Sequence, residues 1–397
     1  MPRQKILVVE PTYHDVDHAV VNAGILQGIA LALPDTDLIF ASTPTHRAGV
    51  MEAFLKVPSA LAFQDIDVMR PGKTSFCRAW AQWNSIAGHV RRQAPEKIVV
   101  LSSGPETFFV CRLLAMAFRT TEIFVVQHGN LTVAVGWRSR DLRHRLFDYR
   151  SGLAVAKHSN IRLVVLEDSI RDAASRMGIR AKFLAWPLPL NEAENVVRAP
   201  WVPTGPLRLA FVGAATRAKG FGEFLTIARD AQGGAYHFDL AGYRCDKFTP
   251  EELGGVTCPD ARLPRDSFIT QLRRADYAFM AFSDDVYSLT ASGSLLDCIA
   301  QLKPIVAVES EILRMLAAKY GPIGHLCPTL EHMRRLLADP EKLLDRRSYE
   351  GFQDALECIR HDRSPAALAN ILRDHLSSTL ANPGLADRMW VAKPVVG

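Results

Sequence analysis

Three groups of residues in this chain have the types and spacing to do chemistry. The first lies in FVGAATRAKGFGEFL, Phe211 to Leu225. An apolar strand ends at Gly213, small residues follow, and Arg217 and Lys219 stand just before Gly220 and a helical run. Cations beside the unpaired amides of a helix N-terminus make an anion site. The residue order is neither a Walker loop nor the Gly-x-Gly-x-x-Gly dinucleotide fingerprint. The second is YSLTASGSLLDCIAQLKPIVA, Tyr287 to Ala307, where Ser292, Gly293 and Ser294 precede a helical run with Asp297 one turn inside. Those hydroxyls and amides cap a helix and also suit a phosphate oxygen. Asp297 favours the helix dipole, and it suits the two hydroxyls of a ribose whose phosphates lie on the turn. A well-capped helix with no ligand would use the same residues.

The third group is EPTYHDVDHAVVNAG after the first strand, with His14, Asp15, Asp17 and His18 together. An imidazole or carboxylate there can deprotonate a hydroxyl or touch a leaving phosphate. One of Asp15 and Asp17 is also expected to cap the next helix. His128 in VVQHGN, Glu106 after LSSGP and Glu167 after LVVL sit at further strand ends. Of these, His128 is the one expected to face a sugar or an acceptor, behind His18.

These groups need a frame. Short β-branched runs alternate with helical spacing: KILVVE, TDLIFAS, EKIVVLSS, EIFVVQHG, IRLVVLED and AKFLAWP are strands, with helical patterns between them. After a Pro-rich stretch the pattern restarts with LRLAFVGA, YHFDLAGY, DYAFMAFS and PIVAVE. EHMRRLLADPEKLLDRRSYEGFQDALECIRH and SPAALANILRDHLSS are helical. Strand–helix alternation predicts parallel sheets covered by helices. The fold class is therefore α/β, two doubly wound Rossmann-like domains facing across a cleft. The boundaries are 1–190 for an N-terminal acceptor domain, 191–206 for a linker, 207–360 for a donor domain, and 361–397 for a C-terminal helix and tail that crosses back. Ligands of such sheets bind beyond the carboxyl ends of the strands.

The chain has 397 residues, 48% hydrophobic and 22% charged, with a formal net charge of +5. That length suits two cores better than one. The mild basicity is no nucleic-acid signature, and it fits an anionic ligand or membrane surface. The seven cysteines are scattered, with no Cys-x-x-Cys, which points to a reducing compartment and no zinc site. MPRQKILVVEP enters a strand too directly to read as a signal peptide. No run approaches the ~18 apolar residues needed to cross a bilayer. The expected location is the cytoplasm, with at most peripheral attachment to the inner face of a membrane.

The ordered series FVG…KG, DLAGY, RDSFITQLRRADYAFMAFS and SGSLLDCIAQLKPIVA resembles GT-B glycosyltransferases of the group 1 type, the family 4-like transferases. Asp297, Ala300 and Pro304 match that family's acidic-helix motif. The resemblance spans mainly residues 207–310. It implies donor binding by Gly213, Arg217, Lys219, Ser292, Gly293, Ser294 and Asp297, and catalysis around His14, Asp17, His18 and His128. It implies transfer of a sugar from a nucleotide-diphosphate sugar to a glycan or lipid-linked acceptor, as in bacterial cell-surface polysaccharide synthesis. The nucleotide sugar is a substrate, and neither a cofactor nor a metal is expected. Asp284 and Asp285 form a carboxylate pair better read as a loop feature.

Three positions depart from the pattern. Leu289 stands where retaining members carry the first of two glutamates, Ala214 where an arginine is usual, and Leu302 where a glycine precedes the proline. Two other functions therefore compete: a nucleotide-sugar epimerase of the same fold, or an inactive nucleotide-binding scaffold. Base recognition is expected near Tyr243 or Arg265. WRSRDLRHRLFDYR, Trp137 to Arg150, interleaves arginines with aromatic and aliphatic residues, a pattern suited to anionic lipid.

Overall fold

The computed structural model describes residues 3–377, apart from 69–73, 130, 137–146, 157–158, 191–195, 197, 199–200, 204, 232–233 and 282–287. Asp284, Asp285, the arginines from Arg138 to Arg145, most of the linker and the tail beyond 377 thus lie outside the described residues. The chain divides into two compact units. Unit 1 takes the chain up to Ala193 and from Ser364 onward, and unit 2 takes Glu194–Arg363.

Unit 1 runs β1 (Lys5–Val9), α1 (Ala19–Ala32), β2 (Asp37–Ser42), α2 (Pro44–Ala53), β3 (Leu61–Asp65), α3 (Ser75–Gln93) and β4 (Lys97–Val100). It continues through α4 (Pro105–Ala117), β5 (Glu122–Val126), α5 (Leu131–Gly136), α6 (Tyr149–Ala156), β6 (Ile161–Val165), α7 (Asp168–Arg176) and β7 (Phe183–Ala185). The seven strands are all parallel, in the order β3-β2-β1-β4-β5-β6-β7. The β-branched runs of β1, β4, β5 and β6 follow from burial on both faces.

Unit 2 runs β8 (Leu207–Ala215), a 3-10 turn at Arg217–Lys219, α8 (Phe221–Asp230), β9 (Tyr236–Arg244), α9 (Pro250–Leu253), α10 (Arg265–Arg274) and β10 (Tyr277–Met280). Then come α11 (Gly293–Ala300), β11 (Ile305–Val308), α12 (Glu311–Tyr320), β12 (Gly324–Cys327), α13 (Leu330–Leu337) and α14 (Arg346–Asp362). Its five parallel strands are ordered β12-β11-β10-β8-β9. Phe211, Phe221, Phe224 and Phe279 form the aromatic centre of its core, with Phe224 and Phe279 in edge contact at 5.1 Å.

The last helix, α15 (Pro365–Ser377), packs on α1 in unit 1. Gly28 makes the approach close, since a Cβ there would sit 2.9 Å from Leu368 Cδ2. With α15 on one side and the sheet on the other, α1 can be apolar nearly all round. Trp186 donates from Nε1 to His375 Nδ1 at 3.0 Å, fixing the end of α15 to the strand side.

Seven elements went unread in the sequence: α2, β3, α5, α6, α9, α12 and β12. The long helical run from Glu331 to His361 is in fact two helices, because Pro340 opens a 3-10 turn between them. The helix α11 closes with a Schellman motif. Leu302 N–H donates to Ile299 O at 3.2 Å and Lys303 N–H to Cys298 O at 2.8 Å. Leu302 sits there at φ 49, the left-handed backbone that glycine usually supplies.

Candidate functional site

In unit 2 the carboxyl ends of three strands converge through glycines. Gly213 and Gly242 are register partners on β8 and β9, and a Cβ on Gly242 would lie 1.9 Å from Gly213 O. Gly213 has φ 93, and a Cβ on it would lie 2.5 Å from Ser294 Oγ. Gly220, at φ 80, would bring a Cβ within 2.7 Å of Ala281 O, just past β10. Only glycine lets the loop after β8 lie this close to the mouth of α11 and the end of β10.

The predicted donor residues occupy this convergence in different states. Lys219 is half-buried at the end of the 3-10 turn, and burial lowers its pKa, with the nearby Cys245 acting weakly the other way. No carboxylate pairs with its ammonium among the described residues. Ser292 is the N-cap of α11, its Oγ accepting from Leu295 N–H at 3.2 Å, and Gly293 is exposed beside it. Ser294 is buried and donates its hydroxyl proton to Val212 O at 2.8 Å. Its structural task is to staple α11 to β8.

Arg217 points elsewhere. Its guanidinium pairs with Glu252 at 2.7 Å and lies over the Phe248 ring at 4.4 Å. Asp297 pairs with Arg265 at 2.7 Å, and that guanidinium lies over Phe268 at 5.2 Å. Leu289 is 1% exposed and belongs to the core.

In unit 1 the loop after β1 is organised by the acid that follows the strand. Glu10 is fully buried and accepts from Thr12 N–H at 2.9 Å, Tyr13 N–H at 3.1 Å, Asn22 Nδ2 at 3.1 Å and the Ser102 hydroxyl. Asn22 Nδ2 also meets His46 Nε2 at 2.9 Å, and His46 Nδ1 lies 2.6 Å from Asp15 O. Both contacts are met when Nδ1 donates to the carbonyl and Nε2 accepts from the amide. Four donors satisfy this buried carboxyl group and pin the loop.

The loop ends at His18, the N-cap of α1, at φ 62 and with no side-chain capping bond. The expected aspartate cap is thus not made. Asp15 Oδ1 instead accepts from Asp17 N–H at 2.9 Å, turning the loop before the helix. His18 packs edge-on against His128, with ring centroids 3.8 Å apart, and Tyr13 lies 4.1 Å from His18 on another side. His128 is 5% exposed, and its Nδ1 has no hydrogen-bond partner among the described residues. Burial, with the His18 imidazole next to it, holds its pKa well below the usual value, so it is neutral at pH 7. Burial and the carboxylates of Glu10, Asp17 and Asp15 push the Tyr13 phenol up to about 12.

His14 contributes its carbonyl to the Thr43 hydroxyl at 3.0 Å. Glu106 is engaged by Ser75 at 2.7 Å and by Arg78. Burial raises its carboxyl, but those bonds outweigh it and leave the pKa below its usual value. Glu167 is the N-cap of α7, without a side-chain cap bond. Sequence reasoning missed Tyr13, Glu10 and Asn22. The available signal was an acid closing an apolar strand with an amide one helix turn into the next element.

No protein-family model matches the chain, and no curated protein matches it in sequence. Solved structures do. A glycosyltransferase from Rickettsia africae ESF-5 aligns over 95% of this chain and 98% of its own at 12% identity, with a TM-score of 0.62. A putative UDP-N-acetylglucosamine 2-epimerase from Listeria monocytogenes aligns over 95% and 98% at 14% identity, with a TM-score of 0.57. A UDP-glucose: anthocyanidin 3-O-glucosyltransferase in complex with UDP aligns over 95% and 99% at 10% identity, with a TM-score of 0.54. At these identities it is the fold that is shared: two Rossmann-like α/β domains of the GT-B type. Among the described residues no helix is long and apolar enough to cross a membrane.

Proposed function

We propose that the chain is a glycosyltransferase of the group 1 type. It moves a hexosyl residue from a nucleotide-diphosphate sugar to a glycan or lipid-linked acceptor, in bacterial cell-surface polysaccharide synthesis. The observation that carries this reading is Lys219. A half-buried ammonium costs free energy unless a counter-charge offsets it. No described carboxylate supplies one, and the group stands where three strand ends meet a helix N-terminus. Such a cation is kept for an anion from solution.

In this reading the diphosphate lies against Lys219 and the amides of Ser292 and Gly293. Asp297, paired with Arg265, takes the ribose hydroxyls. The acceptor binds in unit 1, where the His18 imidazole takes the proton of its hydroxyl. The freed oxygen bonds to the anomeric carbon as the carbon–oxygen bond to the diphosphate breaks, and the diphosphate leaves with the electron pair. Its developing charge is met by Lys219 and the helix amides. His128, neutral and buried, sets the plane of the His18 ring. The basic stretch 137–150 holds the enzyme on anionic lipid; co-sedimentation with anionic vesicles that survives neutralising those arginines would remove that part of the proposal.

The test is calorimetric titration with UDP, GDP, dTDP, ADP and CMP, followed by incubation with the sugar conjugate of whichever binds. Transfer to an added glycan acceptor supports the reading. Release of an epimerised sugar without acceptor replaces it with epimerase chemistry. Failure of every nucleotide to bind leaves a scaffold.

A further inference from the structure

Two neighbouring helices of unit 1 turn an apolar, cationic face to solvent. α3 and α4 pack side by side and run in the same direction, because each leaves the carboxyl end of a parallel strand. We propose that this face docks on an anionic lipid bilayer, with Phe76, Trp80 and Met116 entering the interface and the arginines of the two helices meeting the headgroups. The surface belongs to the folded unit and is distinct from the arginine-rich stretch 137–150, and the inference does not depend on the transferase reading.

The apolar part is laid out in two stripes. On α3, Phe76, Trp80 and Trp83 follow the spacing i, i+4, i+7 and so share one side of the helix. Phe76 is 47% exposed and Trp80 66%, and no other Phe or Trp among the described residues is exposed. On α4, Phe109, Leu113 and Met116 repeat the spacing on the side away from the buried Cys111 and Leu114. Met116 is 70% exposed. Phe147 joins the stripes, its ring 5.1 Å from that of Phe76 and 5.2 Å from that of Phe109. Apolar side chains scattered singly on a surface need no partner, but two aligned stripes joined by ring contacts form one patch.

The charge on this face selects the partner. α3 carries Arg78, Arg91 and Arg92 and no acidic residue, while α4 carries Arg112 and a single acid, Glu106. Glu106 is bonded to Arg78 and accepts from the Ser75 hydroxyl at 2.7 Å, so its charge is already met. Arg91, Arg92, Arg112 and Arg119, the last just beyond α4, pair with no carboxylate among the described residues. Asp148, next to Phe147, is turned to its own helix, where it accepts from the Ser151 hydroxyl at 2.7 Å. Aromatic rings flanked by such arginines seat at the boundary between acyl chains and anionic headgroups. An apolar protein partner would strip water from these arginines, whereas a headgroup layer keeps them hydrated and meets their charge.

The experiment is co-sedimentation of the full chain with vesicles of phosphatidylcholine alone and of phosphatidylcholine and phosphatidylglycerol in equal parts. Binding is expected to the mixed vesicles and not to phosphatidylcholine alone. Trp80→Ser with Met116→Ser, and separately Arg112→Glu with Arg119→Glu, are each expected to weaken partitioning about tenfold or more, at unchanged melting temperature. Trp80→Phe, which keeps a ring at the same place, is expected to retain most of the binding. Absence of binding to the mixed vesicles overturns the proposal. Binding that the Trp80 and Met116 double variant leaves intact overturns it too, since the contact then belongs to 137–150. A lipid-free dimer that Trp80→Ser dissolves also overturns it, by placing a second copy on this face. None of these outcomes bears on nucleotide titration, which tests the transferase reading.

Discussion

Replacing Lys219 by methionine keeps the apolar stem and removes only the charge, so binding and stability should move in opposite directions. An ammonium–phosphate hydrogen bond is worth about 1.5–3 kcal/mol, which is roughly 10- to 150-fold in affinity. The folded protein, by contrast, holds this charge at a cost, since burial places its pKa below the ordinary lysine value of 10.5. The folded state therefore binds the proton less tightly than the unfolded chain. The penalty is full below the folded pKa and disappears as pH rises through it towards 10.5. At pH 7 Lys219→Met should melt at the same temperature as the wild type or higher, with the difference shrinking in the alkaline window below 10.5. Differential scanning fluorimetry and titration with the preferred nucleoside diphosphate read both quantities on one sample. A variant that melts several degrees lower yet binds nucleotide as well as the wild type would show Lys219 to be a structural residue, and the reasoning would fail.

Three further perturbations test other parts of the structure. Protonating His128 in its buried site is unfavourable, so unfolding takes up a proton at this residue once pH falls below the ordinary histidine value of 6.5. Stability should fall through that range, and the slope in His128→Phe should be shallower than in wild type in melts from pH 7 to 5. Gly242→Ala places a Cβ against Gly213 O at φ 157 and should cost about 3 kcal/mol or more, seen as a lost soluble fraction or a sharply lowered urea midpoint. Arg265→Ala leaves Asp297 without its described ion pair, and nucleotide affinity should drop about tenfold while Asp297→Asn gives the same loss alone and no further loss in the double variant.

The central strands were all legible in the sequence, and of the four edge strands only β7 and β9 were. β1, β4, β5 and β6 are buried on both faces and carry unbroken β-branched runs, which is the pattern that burial imposes. The missed strands, β3 and β12, are at sheet edges, where LAFQD and GHLC carry polar residues because one flank is uncovered. α2 carries a local signal, Thr43 as N-cap before Pro44, but little apolar face to show a helical period. At the site, residue types were readable and partners were not. Arg217 meets Glu252, Asp297 meets Arg265, and Glu10 meets Ser102, all across long stretches of chain that no local spacing encodes. The Arg217 side chain, assigned to phosphate from its neighbour Lys219, is therefore found on a different partner.

The two leucines that replace expected family residues have different physical meanings. Leu302 keeps the left-handed turn of the Schellman motif at a cost of about 1–2 kcal/mol, and its 2% exposure recovers a comparable amount by burial. The backbone that ends α11 is thus retained without the glycine, and Asp297 stays on the helix that presents it. Leu289 changes the chemistry. It is packed in the core, so a carboxylate at that position would be buried, and no acid from this place can act on the sugar. The proposed transfer therefore needs its proton acceptor from another position. The described residues offer an imidazole for this in unit 1, where His18 is held at φ 62 against a neutral His128. The left-handed backbone falls at His18, one of the three histidines expected at the catalytic centre, beside a His128 Nδ1 with no hydrogen-bond partner among the described residues. Under the proposed function the base is thus assigned to His18, and the assay that checks it is His18→Ala, expected to abolish transfer while leaving nucleotide affinity unchanged.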